Sequence, residues 1–210
     1  VERSRGLGDV YKRQLLKFFN NFKDFGQNLK VLYSLFISLT LLIMFISMYS
    51  ILNSYITSNK VGGDMSVASV VKLFGVIGMF LSLLVGRLSG RLGTKRVLTL
   101  ALSTCVVSLI LMGTFTNIVL ITIFSVTFVA GIAFAIPTVI SKVGVVVNSN
   151  QGFFLSVNTV ILFLGTAIAP ILMIYVKQIP NFFLEFLTIA MIGVLAVIVS
   201  IFMPNDHHVN

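Results

Sequence analysis

The sequence predicts an all-α membrane protein, a bundle of six transmembrane helices. Three observations carry that expectation. Hydrophobic residues make up 57% of the 210-residue chain and charged residues only 10%, where a soluble domain carries about 25% charged side chains to meet water. A mean hydropathy of +1.05 leaves no polar shell for such a core, so lipid has to be the solvent for most of the chain. The charged residues also fall between long uncharged runs, and those runs are continuously apolar where barrel strands would alternate.

The elements follow in chain order. Residues 1–14, VERSRGLGDVYKRQ, are set apart as an adaptor-like artefact without structure. Asp9 to Gln14 back-translates to GAT-GTG-TAT-AAG-AGA-CAG, which resembles a transposon end ligated to DNA in sequencing libraries. The alternative is a genuine basic arm; the adaptor reading makes the chain a fragment whose frame was cut upstream. Residues 15–30 read as a cytoplasmic amphipathic linker helix. Leu15, Phe18, Phe19, Phe22, Phe25 and Leu29 recur at helical spacing, with Lys17, Lys23, Asp24, Asn28 and Lys30 on the other face.

The bundle is expected over residues 31–203. Val31 to Asn59 is 29 residues without a charge, enough to cross a hydrocarbon core of about 30 Å. Met65 to Val85 is interrupted once, by Lys72. Val97 to Ser141 holds 45 uncharged residues, which as one helix would measure about 68 Å. It therefore folds back, and Gly113 to Asn117 is where turn formers collect. Val143 to Val176 supplies a fifth span beginning near Gly152, and Ile179 to Met203 a sixth, bounded by Pro180 and Pro204. The approximate spans are 31–57, 65–86, 96–113, 117–140, 152–176 and 180–203, followed by a cytoplasmic tail over 204–210.

Six spans put both ends on one side. The loops of that side hold Lys17, Lys23, Lys30, Arg87, Arg91, Lys95, Arg96 and Lys142; the other side holds Lys60 and Lys177, with Lys72 inside a span. That asymmetry places both termini in the cytoplasm and the protein in the cell membrane as a multi-pass chain. The net charge of +9 is spread over short loops, so it reports orientation and no nucleic-acid partner is expected.

Between the second and third spans lies Gly86-Arg87-Leu88-Ser89-Gly90-Arg91-Leu92-Gly93-Thr94-Lys95-Arg96. Physically this is a tight turn: Gly86 and Gly93 permit close approach and turning φ values, while the cations hold the loop at an anionic surface. The spacing resembles the signature loop of the major facilitator superfamily, G-x-x-x-[D/E]-R-x-G-x-[R/K]-[R/K]. Gly86, Arg91, Gly93, Lys95 and Arg96 match, and Gly90 stands at the acidic position. The resemblance implies a cytoplasmic gate loop built from those five residues, with the relay attributed to the acid lost. In that family the loop is strong after the second helix and degenerate after the eighth, so the missing acid implies helices seven to twelve.

Two further features resemble that half. The fourth span has Thr127 four residues before Gly131, where first-half copies in drug exporters often carry an arginine. The fifth span reads Gly152, Asn158, Gly165, Ala169, Pro170, similar to the pattern of the eleventh helix. Gly165 and Ala169 are a small-x-x-x-small pair for close packing, and Pro170 removes a helix hydrogen bond. The resemblance thus implies one half of a major facilitator fold, most like the drug:proton antiporters. It implies efflux of hydrophobic or amphiphilic small molecules by alternating access coupled to protons, with an N-terminal six-helix half and the lipid bilayer as partners. An uptake carrier for a neutral solute, and a self-contained six-helix scaffold or channel, stay open as alternatives.

The remaining polar residues leave choices. Lys72 either snorkels outward along its helix or faces inward to an anionic substrate. Asn53, Tyr55 and Asn158 either line a central cavity or form interhelical hydrogen bonds. The 19 phenylalanines suit an apolar pocket and core packing equally, and Cys105 is read as a small hydrophobe. Glu185, in the first turns of the last span, reads as a helix-end residue favoured by the dipole. Enzymatic readings fail: Gly62-Gly63-Asp64 lacks a second buried acid, His207 and His208 sit in the tail without a zinc motif, and there is no phosphate-binding loop. No catalytic residue, metal or cofactor is expected.

Overall fold

A computed structural model describes residues 28–58, 61–146 and 151–203. The adaptor-like segment, all but the end of the linker, Lys60 and the tail with its histidine pair lie outside the described residues. The described elements are α1 (Leu29–Ile56), α2 (Met65–Phe80), a 3₁₀ turn (Leu81–Leu84), α3 (Val85–Leu92), α4 (Thr94–Thr114), α5 (Ile118–Val146), α6 (Gln151–Val176) and α7 (Phe182–Phe202). With α2, the 3₁₀ turn and α3 taken as one rod, six helices are long and apolar enough to cross a membrane.

A chain in hydrocarbon has no water for its amides, so the backbone must bond to itself, and the helix does this within each span. The ends still leave free N–H groups, and asparagine takes three of them. Asn28 Oδ1 accepts from the Lys30 amide at 3.1 Å, Asn117 Oδ1 from that of Val119 at 2.9 Å, and Asn181 Oδ1 from that of Phe183 at 3.0 Å. Serine and threonine hydroxyls within the spans turn mostly to their own helix. Thr104 bonds the Leu100 carbonyl at 2.9 Å, Thr122 that of Ile118 at 2.7 Å, and Thr159 that of Leu155 at 2.7 Å.

The bundle is centred on α1, which packs against α2, α5, α6 and α7; α4 is wedged between α5 and α7. The core gathers Leu41, Met44, Met48, Leu102, Leu109, Phe128 and Phe186, all essentially inaccessible. The spans are unequally enclosed. In the most apolar stretch of α1, 56% of residues are buried, against 22% in the α2–α3 rod and 22% in α6. Those two flanks turn large apolar side chains outward, among them Leu73, Ile77, Phe80, Phe163, Ile171 and Tyr175.

Helices approach closely where a side chain is missing. A Cβ on Gly165 would stand 2.7 Å from the Leu39 carbonyl oxygen of α1, and one on Gly78 2.6 Å from the Val126 carbonyl of α5. Gly131 of α5 fits against Cys105 of α4, and Gly193 of α7 against Met44 and Val106. Ala169, one turn beyond Gly165, is also fully buried.

Two expectations change. The segment Gly86 to Arg96 is not a loop: α3 carries the helix through Gly86 and Gly90 to Leu92, and the chain turns at Gly93 alone, with φ +84 and ψ 143. Gly86 has nothing within 4 Å of its Cβ position, so it makes no close approach inside this bundle. Nothing in Arg87 to Leu92 opposes helix, and Gly is tolerated there at modest cost. Lys142, assigned to a loop, lies within α5 and is 1% exposed, because no breaker stops that helix before residue 146.

Candidate functional site

Near mid-length of α1 and α5, three spans leave a cavity of about 400 Å³. Leu42 and Phe45 line it from α1, Met79 and Ser82 from the second span, and Val129, Ile132, Ala133, Ile136 and Pro137 from α5. The lining is apolar apart from the Ser82 hydroxyl. Pro137 lies inside α5, and with no N–H it cannot bond the Ala133 carbonyl four residues back. Thr138, next to it, donates to the Phe134 carbonyl at 2.6 Å. A small residue and a proline on the facing helix are what leave the space open.

The stripe that forms the cavity continues toward the Gly62 end of the bundle and becomes polar. On α1, Phe45, Tyr49 and Asn53 follow at four-residue spacing. On the second span Met79, Gly75 and Lys72 share the opposing face. The Lys72 ammonium donates to Asn53 Oδ1 at 3.0 Å, and the Asn53 amide points at Met65 Sδ at 3.7 Å. A Cβ on Gly75 would meet the Tyr49 hydroxyl at 2.5 Å, so that phenol fills the notch glycine leaves. Phe45 and Tyr49 meet edge to face at 5.0 Å. Among the described residues no carboxylate pairs with Lys72.

Of the three polar residues expected at a cavity, Asn53 stands in this stripe, as the partner of Lys72. Tyr55 and Asn158 take the other alternative and serve as interhelical hydrogen-bond partners. Tyr55 is 3% exposed, donates to the Phe115 carbonyl at 3.0 Å, and packs against Phe182 and Phe186. Asn158 is buried and accepts from Ser38 Oγ at 2.6 Å, tying α6 to α1. α6 runs unbroken through Pro170 to Val176. Glu185, the fourth residue of α7, is enclosed, and its Oε2 has no hydrogen-bond partner among the described residues. That burial was not expected of a helix-end residue. Arg87, Arg91 and Arg96 are exposed at the Gly93 end, and Lys95 is half-buried there.

Sequence reasoning missed Tyr49 and most of the cavity lining. The signals were present: a proline in mid-span at Pro137, and Tyr49 and Asn53 one turn apart on the helix preceding an intramembrane lysine. Which helix faces meet was not readable from the chain.

Six helices long and apolar enough to span a bilayer, three of them lining a cavity near mid-length of α1 and α5, make a multi-pass membrane protein. The family follows from the sequence itself: residues 35–210 match the Major Facilitator Superfamily, and the chain belongs to it, a superfamily of transporters rather than of enzymes. Among solved structures it is similar to a mutant of the peptide transporter POT crystallised with alafosfalin. That pair shares 20% identity at a TM-score of 0.72, over 81% of this chain and 37% of that one. At this identity the likeness shows the fold, and the chain spans little more than a third of that transporter's length. No curated protein matches the sequence.

Proposed function

We propose that this chain is the second six-helix half of a secondary active transporter of the cell membrane, most like the drug:proton antiporters. It exports hydrophobic or amphiphilic small molecules by alternating access. The observation that carries the reading is the apolar mid-depth cavity between α1, α2 and α5, open on one side. Substrates of alternating-access carriers bind at that depth, at the junction of two repeats. A second six-helix bundle closes the cavity and covers the apolar flanks of the α2–α3 rod and α6. The exposed cations at the Gly93 end support a cytoplasmic gate there, formed by Gly86, Arg91, Gly93, Lys95 and Arg96, with both termini in the cytoplasm. Glu185, the carboxylate enclosed in the described spans, stands in the first turns of α7, and on this reading a proton-exchanging acid at mid-depth is supplied by the second bundle.

The test is reconstitution. Proteoliposomes bearing a protein with both bundles should export a fluorescent amphiphile down an imposed proton gradient, and the 210-residue chain alone should not. Transport by the chain alone would refute the half-carrier reading. Orientation has its own readout. Cys105 is buried, so Ser58→Cys and Arg91→Cys can be labelled selectively with a membrane-impermeant maleimide, and only Ser58→Cys should react in intact cells.

A further inference from the structure

Resting on that reading, we infer that the stripe from Lys72 to the cavity is a binding site for an amphiphilic anion, a chain of about ten carbons ending in a carboxylate. The polar end of the stripe offers donors, and its nearest described acid, Asp64, stands exposed at the start of the second span, eight residues before Lys72, and is not paired with it. The Lys72 ammonium carries three N–H groups and gives one to Asn53, which leaves two unspent. An amide oxygen satisfies a hydrogen bond but cannot neutralise the charge, and a cation within a span is costly until something does. The Tyr49 hydroxyl has no partner among the described residues and lies one turn from Lys72, over Gly75. An ammonium, a phenol and an amide gathered on one seam suit a carboxylate.

The apolar end fixes the rest of the ligand. Met79 lies seven residues from Lys72 and Phe45 eight from Asn53, so head and tail sites stand about 10–12 Å apart by helix rise. An extended chain of about ten carbons covers that span, and the cavity of about 400 Å³ holds its tail. The Lys72 ammonium is held by Asn53 of the neighbouring helix, on the face that Lys72 shares with Gly75 and Met79.

The experiment uses the full chain in proteoliposomes and a photoreactive decanoate with a diazirine at its far end. Labelling should map to the peptides holding Phe45, Met79 and residues 129–137. It should be competed by decanoate at least tenfold better than by decanol or decyltrimethylammonium. Lys72→Gln should weaken that competition at least tenfold, Lys72→Arg should keep most of it, and Tyr49→Phe should cost a few-fold. Equal competition by all three headgroups would overturn the inference without any variant, so a Lys72→Gln protein that fails to fold does not shelter it. Competition unchanged in a folded Lys72→Gln protein would also overturn it. Because labelling needs no transport, an intact pattern in the 210-residue chain together with failed transport by the protein bearing both bundles removes only the carrier reading. Transport of a neutral amphiphile without carboxylate preference removes only the anion site.

Discussion

Gly78 and Gly86 stand about two turns apart on the same span, yet they do different work. Gly78 lies where the backbones of α2 and α5 touch, its Cβ position 2.6 Å from one main-chain oxygen and 3.0 Å from the Ala130 nitrogen. Gly86 faces open space. The interior of the bundle uses glycine to set the distance between helices. The Gly93 end uses one glycine for a turn, and leaves Gly86 and Gly90 with no packing duty inside this chain. Glycines that look alike in the sequence therefore separate into spacers, a hinge and two that nothing here requires.

The comparison can be broken by filling the glycines. Gly78→Ala with Gly165→Ala should cost most. The overpacking penalties should be about 1–3 kcal/mol each and combine with some coupling, because Val129 beside Gly78 and Leu42 beside Gly165 line the same cavity. They are read as a fall in folded fraction during SDS titration of the micellar protein. Gly93→Ala should cost about 1–3 kcal/mol in the same assay, because φ +84 with ψ 143 is reached comfortably only by glycine. Ser38→Ala should cost less, about 0.6 kcal/mol and at most about 1.7, the range for hydrogen bonds between membrane helices. Gly90→Ala should be the smallest effect and of opposite sign, a gain of about 0.5–1 kcal/mol from a better helix former.

Gly86→Ala sharpens the contrast. In the 210-residue chain it should be neutral or slightly stabilising. In a protein that includes a second bundle, a loss of transport with unchanged folding of this half would show that the open face is covered there. No change in either setting would leave Gly86 without a role.

The spans were legible because their signal is collective: an uncharged run of 29 residues from Val31 leaves hydrocarbon as the only environment that fits. The end of the second span was less so. Gly86 and Gly90 look like turn formers, but a turn needs a backbone excursion, and only Gly93 makes one. Lys142 misled for a related reason, since a charge reads as a loop until packing shows that a helix can enclose it. Tyr55 and Asn158 could line a cavity or join helices, and the choice depends on which faces meet, a property of pairs of spans. The cavity belongs to three spans at once, and no single stretch of sequence carries its outline.

The hydroxyls of the spans have a consequence for how the chain is made. Thr104, Thr122 and Thr159 are already bonded to carbonyls of their own helices, so each such segment can leave the insertion machinery and enter the bilayer without waiting for a neighbour. Ser38 and Tyr55 cannot finish so early. Their partners are Asn158 and Phe115, and Asn158 is synthesised 120 residues after Ser38. Thr99 bonds the Lys95 carbonyl of its own helix at once and meets Ser200 of α7 only later. Biogenesis therefore divides into two acts. The spans thread one by one as self-sufficient rods, and the bonds from α1 to α6 and from α4 to α7 close once the later helices have arrived.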